Sequence, residues 1–241
     1  MYHSITIGGK NTWKDWHLIP SSRPLVNPPN LRTNYIDVPG SDGSLDLSDI
    51  MIGRPTYENR SGTWDFYVDN GYGTWSDRYS EIMAHLNGEK MVAVLEDDPM
   101  FYYEGRFYVN EWRSDPYYSR ISINYVVGPY KLASVMDGDD WLWDPFNFNT
   151  DPIRSYRNMT VKKNSPLVVR IIGDVMDIYP LITTSTNDMQ LEFNNKKIYL
   201  KRGSYTYDGV VLTEGENVLK FTYNGSGSSS KVSLKMTGGR F

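Results

Sequence analysis

Cysteine is absent from the chain. That removes thiol nucleophiles, disulfides and Cys-ligated zinc or iron–sulfur centres. The fold must rest on a buried core, and 241 residues are enough to build one, as two domains or as one large β domain. Histidine is scarce: His3, His17 and His85 are the only three. None is spaced from another histidine as a zinc site requires. No apolar run approaches the roughly 20 residues that span a bilayer, and the opening MYHSITIGGK has no basic stretch followed by an apolar one. A soluble chain with no membrane insertion is expected. Phosphate-cradling and nucleophile-elbow strings are missing too, and Gly53, Gly62, Gly71 and Gly73 form no nucleotide fingerprint. No catalytic, metal or cofactor-binding residue is expected.

Net charge is −4, and it is unevenly spread. Residues 1–130 hold 11 basic and 17 acidic side chains, the remainder 14 and 12, so the acidity belongs to the first part. No stretch is read as clustered Lys and Arg with regularly interleaved aromatics of the kind that grips a phosphate backbone, and nucleic-acid binding is not expected.

What is present is strand composition. Ser4–Ile7 reads as a strand closed by Gly8-Gly9, and Pro20, Pro24, Pro28 and Pro29 then exclude a helix and make a central strand improbable, leaving a packed arm or edge. LRTNYIDVPG and LDLS read as two strands of a hairpin turning at Asp42-Gly43. Tyr57–Arg60 and Thr63–Val68 read as another hairpin about Ser61-Gly62. Trp75, Tyr79, Ile82, Met83 and Leu86 recur at three and four, which predicts one helix over 75–87, capped by Thr74 with Asp77 and closed at Asn87-Gly88. MVAVL, FYYEGRFYVNEW and RISINYVV predict three more strands, with turns at Asp97-Asp98-Pro99 and Asp115-Pro116. Beyond 156, strands at Tyr156–Val161, Leu167–Ile172, Tyr179–Thr183, Met189–Phe193, Lys197–Leu200, Tyr205–Tyr207 and Gly209–Leu212, with a last hairpin across NGSGSSS, predict a β-sandwich.

Chemistry is thin. DGDDWLWD, Asp137–Asp144, gathers carboxylates but misses the EF-hand spacing and reads as a solvated linker. Trp141 and Trp143 beside it, with Tyr205 and Tyr207, leave open a carbohydrate-binding module. Glu96, Asp97, Asp98, Glu104 and Glu111 leave open a cell-wall glycan hydrolase, which needs only two carboxylates about 5 to 9 Å apart. The 19 Tyr, 7 Trp and 8 Phe favour a protein that meets other proteins.

Three strings carry a resemblance: DWHLIPSSRPLVNPPNLRTNYIDVPGSDGSLDLS (15–48), YENRSGTWDFYV (57–68) and YSEIMAHLNGEKMVAVLEDDPMFYYEGRF (79–107). With the ending NVLKFTYNGSGSSSKVSLKMTGGRF, the sequence resembles the distal tail protein family of long-tailed, non-contractile phages and prophages of Gram-positive bacteria. The resemblance implies a mainly β fold, with an N-terminal β-sandwich-like ring domain carrying one α-helix over 1–134 and a C-terminal galectin-like β-sandwich over 135–241. It implies a non-enzymatic homohexameric hub at the distal end of the virion tail, assembled in the bacterial host cytoplasm. Such a ring joins the tail tube protein to a tail-associated tip or baseplate hub protein, and DNA passes its axial channel without specific binding. The second domain of some members contacts receptor-binding proteins, and 241 residues leave no room for an inserted glycan-binding module. Asp15, Trp16, Arg23, Pro24, Pro28, Pro29, Arg32, Asn34, Tyr35 and Asp37 fall on the family's arm and first hairpin and are its implied ring interface. Arg32 and Asp37 would serve either contacts between subunits or pairs within the chain. Tyr79–Leu86, Tyr102, Tyr103, Gly105 and Arg106 fall on its helix and following strands.

Overall fold

The computed structural model describes residues 3–50, 53–69, 74–114, 119–133 and 156–241. The chain divides into two compact units, Met1–Lys131 with Phe241, and Leu132–Arg240. The expected boundary at 134/135, the Asp137–Asp144 stretch, Trp141, Trp143, the Asp115-Pro116 turn and Gly71 and Gly73 lie outside the described residues.

In the first unit β1 (Ile5–Ile7), β2 (Lys10–Asn11) and β3 (Leu18–Pro20) come first, then β4 (Leu31–Arg32), β5 (Tyr35–Asp37), β6 (Ser44–Asp46), β7 (Thr56–Tyr57) and β8 (Arg60–Val68). Helix α1 (Trp75–His85) precedes β9 (Asn87–Leu95), β10 (Phe101–Ser114) and β11 (Ser119–Val127). The main sheet is antiparallel in the order β2-β1-β9-β10-β11-β8-β3. It curls into a half-barrel: the Leu18 N–H donates to the Thr12 carbonyl at 2.8 Å, so the two edges approach. Period two puts Ile5, Ile7, Trp64, Phe66, Val68, Phe107, Ile121, Ile123 and Tyr125 on the concave face. Ile82 of α1 and its C-cap residue Leu86 enter the same core. Thr74 caps the helix by accepting from the Asp77 N–H. The helix ends at His85 because Asn87 already belongs to β9. A register shift between Val109 and Glu111 lets Trp112 pack on Trp75 and Tyr79, ring centroids 5.2 and 4.3 Å away.

One expected hairpin is absent. Ser61 and Gly62 do not turn; they lie inside β8, where Gly62 faces Tyr125 on β11. The glycine is needed for closeness instead, since a Cβ there would sit 2.4 Å from Tyr125 Oη and 2.7 Å from its Cζ. The buried hydroxyl accepts from the Asn27 N–H at 3.0 Å. Gly62→Ala is therefore expected to cost about 1–3 kcal/mol through overpacking. In a Tyr125→Leu background the added cost should shrink, and urea titrations of the four proteins test that coupling.

The chain enters the second unit through β12 (Lys131–Ala133) and continues with β13 (Met159–Lys162), β14 (Leu167–Gly173), β15 (Leu181–Thr184), β16 (Met189–Phe193), β17 (Lys196–Leu200), β18 (Gly203–Tyr205), β19 (Gly215–Tyr223), β20 (Ser229–Lys235) and β21 (Gly239–Arg240). Two four-stranded antiparallel sheets, β13-β20-β15-β18 and β14-β19-β16-β17, share one core. Val161, Ile182, Val232 and Leu234 come from one sheet, and Val169, Ile171, Leu191, Leu219 and Phe221 from the other. This is a β-sandwich.

Two local expectations need correction. The last two strands alternate toward the core as expected, yet they belong to opposite sheets, so NGSGSSS is an arch between layers and not a hairpin turn. Period two cannot tell these cases apart, because both send every second side chain inward. Gly209–Leu212 forms no strand: Val210 N–H closes a turn on the Tyr207 carbonyl at 2.8 Å, and only an isolated bridge joins Leu212 to Ile178.

Candidate assembly surface

The segment from β3 to β8 begins as a tethered strap. Pro20 ends β3, which lies on a sheet edge as the proline pattern requires. The strap then follows the β8–β11 wall. The Ser21 N–H donates to the Asp65 carbonyl at 2.9 Å, Trp64 Nε1 to the Leu25 carbonyl at 2.8 Å, and Asn27 Nδ2 to the Ser61 carbonyl at 2.9 Å. From there the chain projects. A two-residue ladder of β4 with β7 closes its base, reinforced by the Glu58 N–H donating to the Asn30 carbonyl at 2.9 Å.

Beyond that base lies the β5–β6 hairpin, registered Tyr35 with Asp46, Ile36 with Leu45 and Asp37 with Ser44. Its turn is longer than Asp42-Gly43 alone, with both Gly40 and Gly43 at positive φ. Residues 30–46 are exposed throughout. Tyr35 is 59% exposed, Ile36 48% and Leu45 54%, and Val38 and Ile50 are open as well. An isolated two-stranded hairpin is at best marginal in water, and among the described residues no third strand pairs with this one. Local polar bonds set its shape. Ser44 Oγ donates to Asp37 Oδ1 at 2.6 Å, Asn34 N–H to Ser48 Oγ at 2.9 Å and Ser48 N–H to Asp46 Oδ1 at 2.9 Å. The Ser48 hydroxyl, then its N–H, holds the Asp46 carboxyl below the ordinary carboxylate range. Asp37, Asp42, Asp46 and Asp49 make the projecting segment acidic as well as apolar.

The residues read from the sequence separate into three groups. Arg32, Asn34, Tyr35 and Asp37 lie on the exposed projection, with Asp37 paired inside the chain to Ser44. Asp15, Arg23, Pro24, Pro28 and Pro29 lie on the turn before β3 and on the strap, where Pro24 is buried and Pro28 exposed. Trp16 has no exposed surface; it is a core residue packed edge-on against His85 at 5.4 Å, and holds the turn from inside. Ile36, Val38 and Leu45 fall within the family's first hairpin, Thr33–Pro39 and Asp42–Leu47, but like Ile50 are not among the implied interface residues. Their signal was alternation of apolar residues in a hairpin with no third strand to bury them.

Arg23 ties the strap to the body. Its Nε donates to Asp97 Oδ2 at 2.7 Å, and the His3 ring N–H lies 2.9 Å from both Asp97 oxygens. Those bonds, His3 first, hold the Asp97 carboxyl below its ordinary value against the opposing effect of burial. A carboxyl with a depressed folded pKa stabilises above its unfolded value, about 3.9, and the contribution fades as pH falls through the lower folded value. Asp97→Asn should therefore cost about 1 kcal/mol at neutral pH. Denaturation of both proteins across pH should show that gap closing below about pH 4; a gap that persists in strong acid would show that charge is not its cause.

The other carboxylates considered for catalysis have structural partners. Glu96 Oε2 accepts from the Ser4 N–H at 2.7 Å, and Asp98 pairs with Lys131 at 2.7 Å. Glu104 pairs with Lys90 at 2.7 Å and Glu111 with Arg113 at 3.6 Å. Glu104 and Glu111 stand on one extended strand, seven residues and roughly 20 Å apart, too far to act across one glycosidic bond. His85 Nε2–H donates to the Ile7 carbonyl at 2.9 Å, a structural bond. Among the described residues no group of three or more His, Cys, Asp or Glu could hold a metal ion, and no helix is long and apolar enough to cross a membrane.

Among the described residues the architecture defines a class: a curled antiparallel sheet with one helix, followed by a two-sheet sandwich, with an exposed two-stranded hairpin between β4 and β7 of the first unit. Among solved structures the chain is similar to the SPP1 Dit (gp 19.1) protein, described as a paradigm of the hub adsorption apparatus in phages infecting Gram-positive bacteria. The likeness has a TM-score of 0.64 at 12% identity and covers 100% of both chains, so it is one of fold. No protein-family model matches the chain, and no curated protein matches it.

Proposed function

We propose that this protein is a structural hub of a phage tail tip, a distal tail protein that closes into a homohexameric ring. The ring would sit between the tail tube and the tip or baseplate proteins, with an axial channel for DNA. Residues 1–134 would form the ring and the galectin-like domain, 135–241, would stand outside it and receive receptor-binding proteins. The observation that carries the reading is the β5–β6 hairpin, which displays Tyr35, Ile36, Val38 and Leu45 on a projection with no core of its own. A closed ring needs a heterologous contact in which one surface meets a different surface on the next copy, and a tethered projection supplies one half of it. Prolines 24, 28 and 29 lower the ordering cost of the strap that carries it. The full-chain likeness to the SPP1 hub protein supports the same reading. The acidic excess of residues 1–130 would keep DNA from adhering during passage.

Native mass spectrometry and negative-stain microscopy test this, on the chain alone and with its tube and tip proteins. Six-membered rings with a central opening are expected. A dimer, or a monomer that stays monomeric with both partners present, overturns the proposal.

A further inference from the structure

The sandwich carries a stripe of cations that ring formation does not use. β17 is the last strand of its sheet, and residues 196–202 read KKIYLKR, four cations without an acid. Tyr199 is the one aromatic within this run, so it lacks the regularly interleaved aromatics of a nucleic-acid-binding stretch. The pairing fixes where the side chains point. Ile198 and Leu200 lie opposite Leu191 and Met189 and turn inward, which sends Lys197 and Tyr199 to the outer face, with Lys201 next in the same period. The spacing along that line is about 6.6 Å.

Lys196, Lys197, Lys201 and Arg202 are all exposed, and none has an ion pair among the described residues. Elsewhere in the unit, Arg170, Lys220 and Arg240 pair with Glu216, Glu192 and Asp174. Glu192, opposite Lys197, is the acid nearest in register, and it already serves Lys220 at 3.1 Å, so that row stays positive. A lysine on an edge strand ordinarily serves to prevent strand pairing. Within strand bounds β17 carries two cations and the other edges, β13, β14 and β18, carry one or none, and edge protection gives no reason for Tyr199 to be 74% exposed between two lysines.

We propose that this stripe binds a flexible polyanion with a phosphodiester in every repeat, a polyol-phosphate polymer of the bacterial wall; that choice of source rests on the tail-hub reading. Lys197 and Lys201 stand about 13 Å apart on the outer line with Tyr199 between them, so a charged backbone can pass over both, and the open Tyr199 ring suits the apolar edge of a polyol. Single-stranded nucleic acid fits less well, because it needs several open aromatic platforms. Tyr205 is 45% exposed but stands on β18, in the other sheet, and meets Tyr207 edge-on at 6.4 Å, while the Tyr207 hydroxyl accepts from the Lys201 N–H at 2.8 Å, so Tyr199 is the open ring on the β17 face.

The test uses the full chain with synthetic poly(glycerol phosphate), oligothymidylate and polyglutamate. Poly(glycerol phosphate) should bind best, with affinity falling about 50-fold between about 50 and 200 mM salt for four phosphate contacts. Lys197→Gln with Lys201→Gln should halve the salt slope and weaken low-salt binding at least about 10-fold; Tyr199→Ala should weaken it less. No binding at low salt, no effect of the double variant, or equal binding of oligothymidylate or polyglutamate overturns the proposal. The variants lie outside the ring domain, so ring assembly reads the hub proposal separately: polymer binding without rings sinks the hub alone, and rings without polymer binding sink the stripe alone.

Discussion

Ile36→Asp with Leu45→Asp is expected to abolish ring assembly while leaving the monomer's stability almost unchanged. The two residues are cross-strand partners at the centre of the β5–β6 hairpin, and about half of each is open to solvent. Exposed substitutions of this kind normally change folding by less than about 0.5 kcal/mol. Their effect on assembly should be far larger. Fully burying an Ile or Leu contributes about 1.5–3 kcal/mol and about half of each is still open, so each subunit contact would lose roughly 1.5–3 kcal/mol of burial and would also have to desolvate two charges beside Asp37 and Asp46. Repeated around a closed ring, that is enough to leave monomers at micromolar concentration. Native mass measurement reads the oligomer, and urea denaturation reads the fold. Rings that form as before would remove the hairpin from the interface, and a collapsed monomer would show that it packs against its own chain.

Where one periodicity dominates, the sequence was a reliable guide. The spacing of Trp75, Tyr79, Ile82 and Leu86, with Thr74 before them, admits only a capped helix, and the alternation in RISINYVV admits only a strand with one buried face. It failed where a residue had two physical uses. Gly62 has the composition of a turn, yet its lack of a side chain makes room for Tyr125, 63 positions later, and no local pattern reports that ring. NGSGSSS has the composition of a hairpin loop, and only the sheet order shows that it crosses between layers. The candidate surface divided in the same way. Proline spacing located the strap, because a missing N–H and a fixed φ are local properties. The exposure of Ile36 and Leu45 depends on the absence of a third strand, which is not local. The cations of β17 were visible as letters, but their common face depends on the inward pairing of Ile198 and Leu200.

Phe221→Ala is expected to cost about 3–5 kcal/mol, a large share of the roughly 5–15 kcal/mol that keeps a domain folded, while ring formation survives. Phe221 is fully buried on β19, an interior strand of its sheet, opposite Leu167 on one side and Leu191 on the other. Backbone ladders hold it on both flanks, so the wall cannot close over the vacated volume and the cavity cost adds to the lost transfer energy. The core it leaves, with Val161, Ile182, Val232 and Leu234, is a different cluster from the one built on Phe66, Phe107 and Ile123. If assembly resides in the first unit, the variant should show a lowered unfolding midpoint and faster amide exchange in the sandwich and still form rings. Loss of both together would move the assembly surface into the sandwich, or make its folding a condition for the projection to be presented.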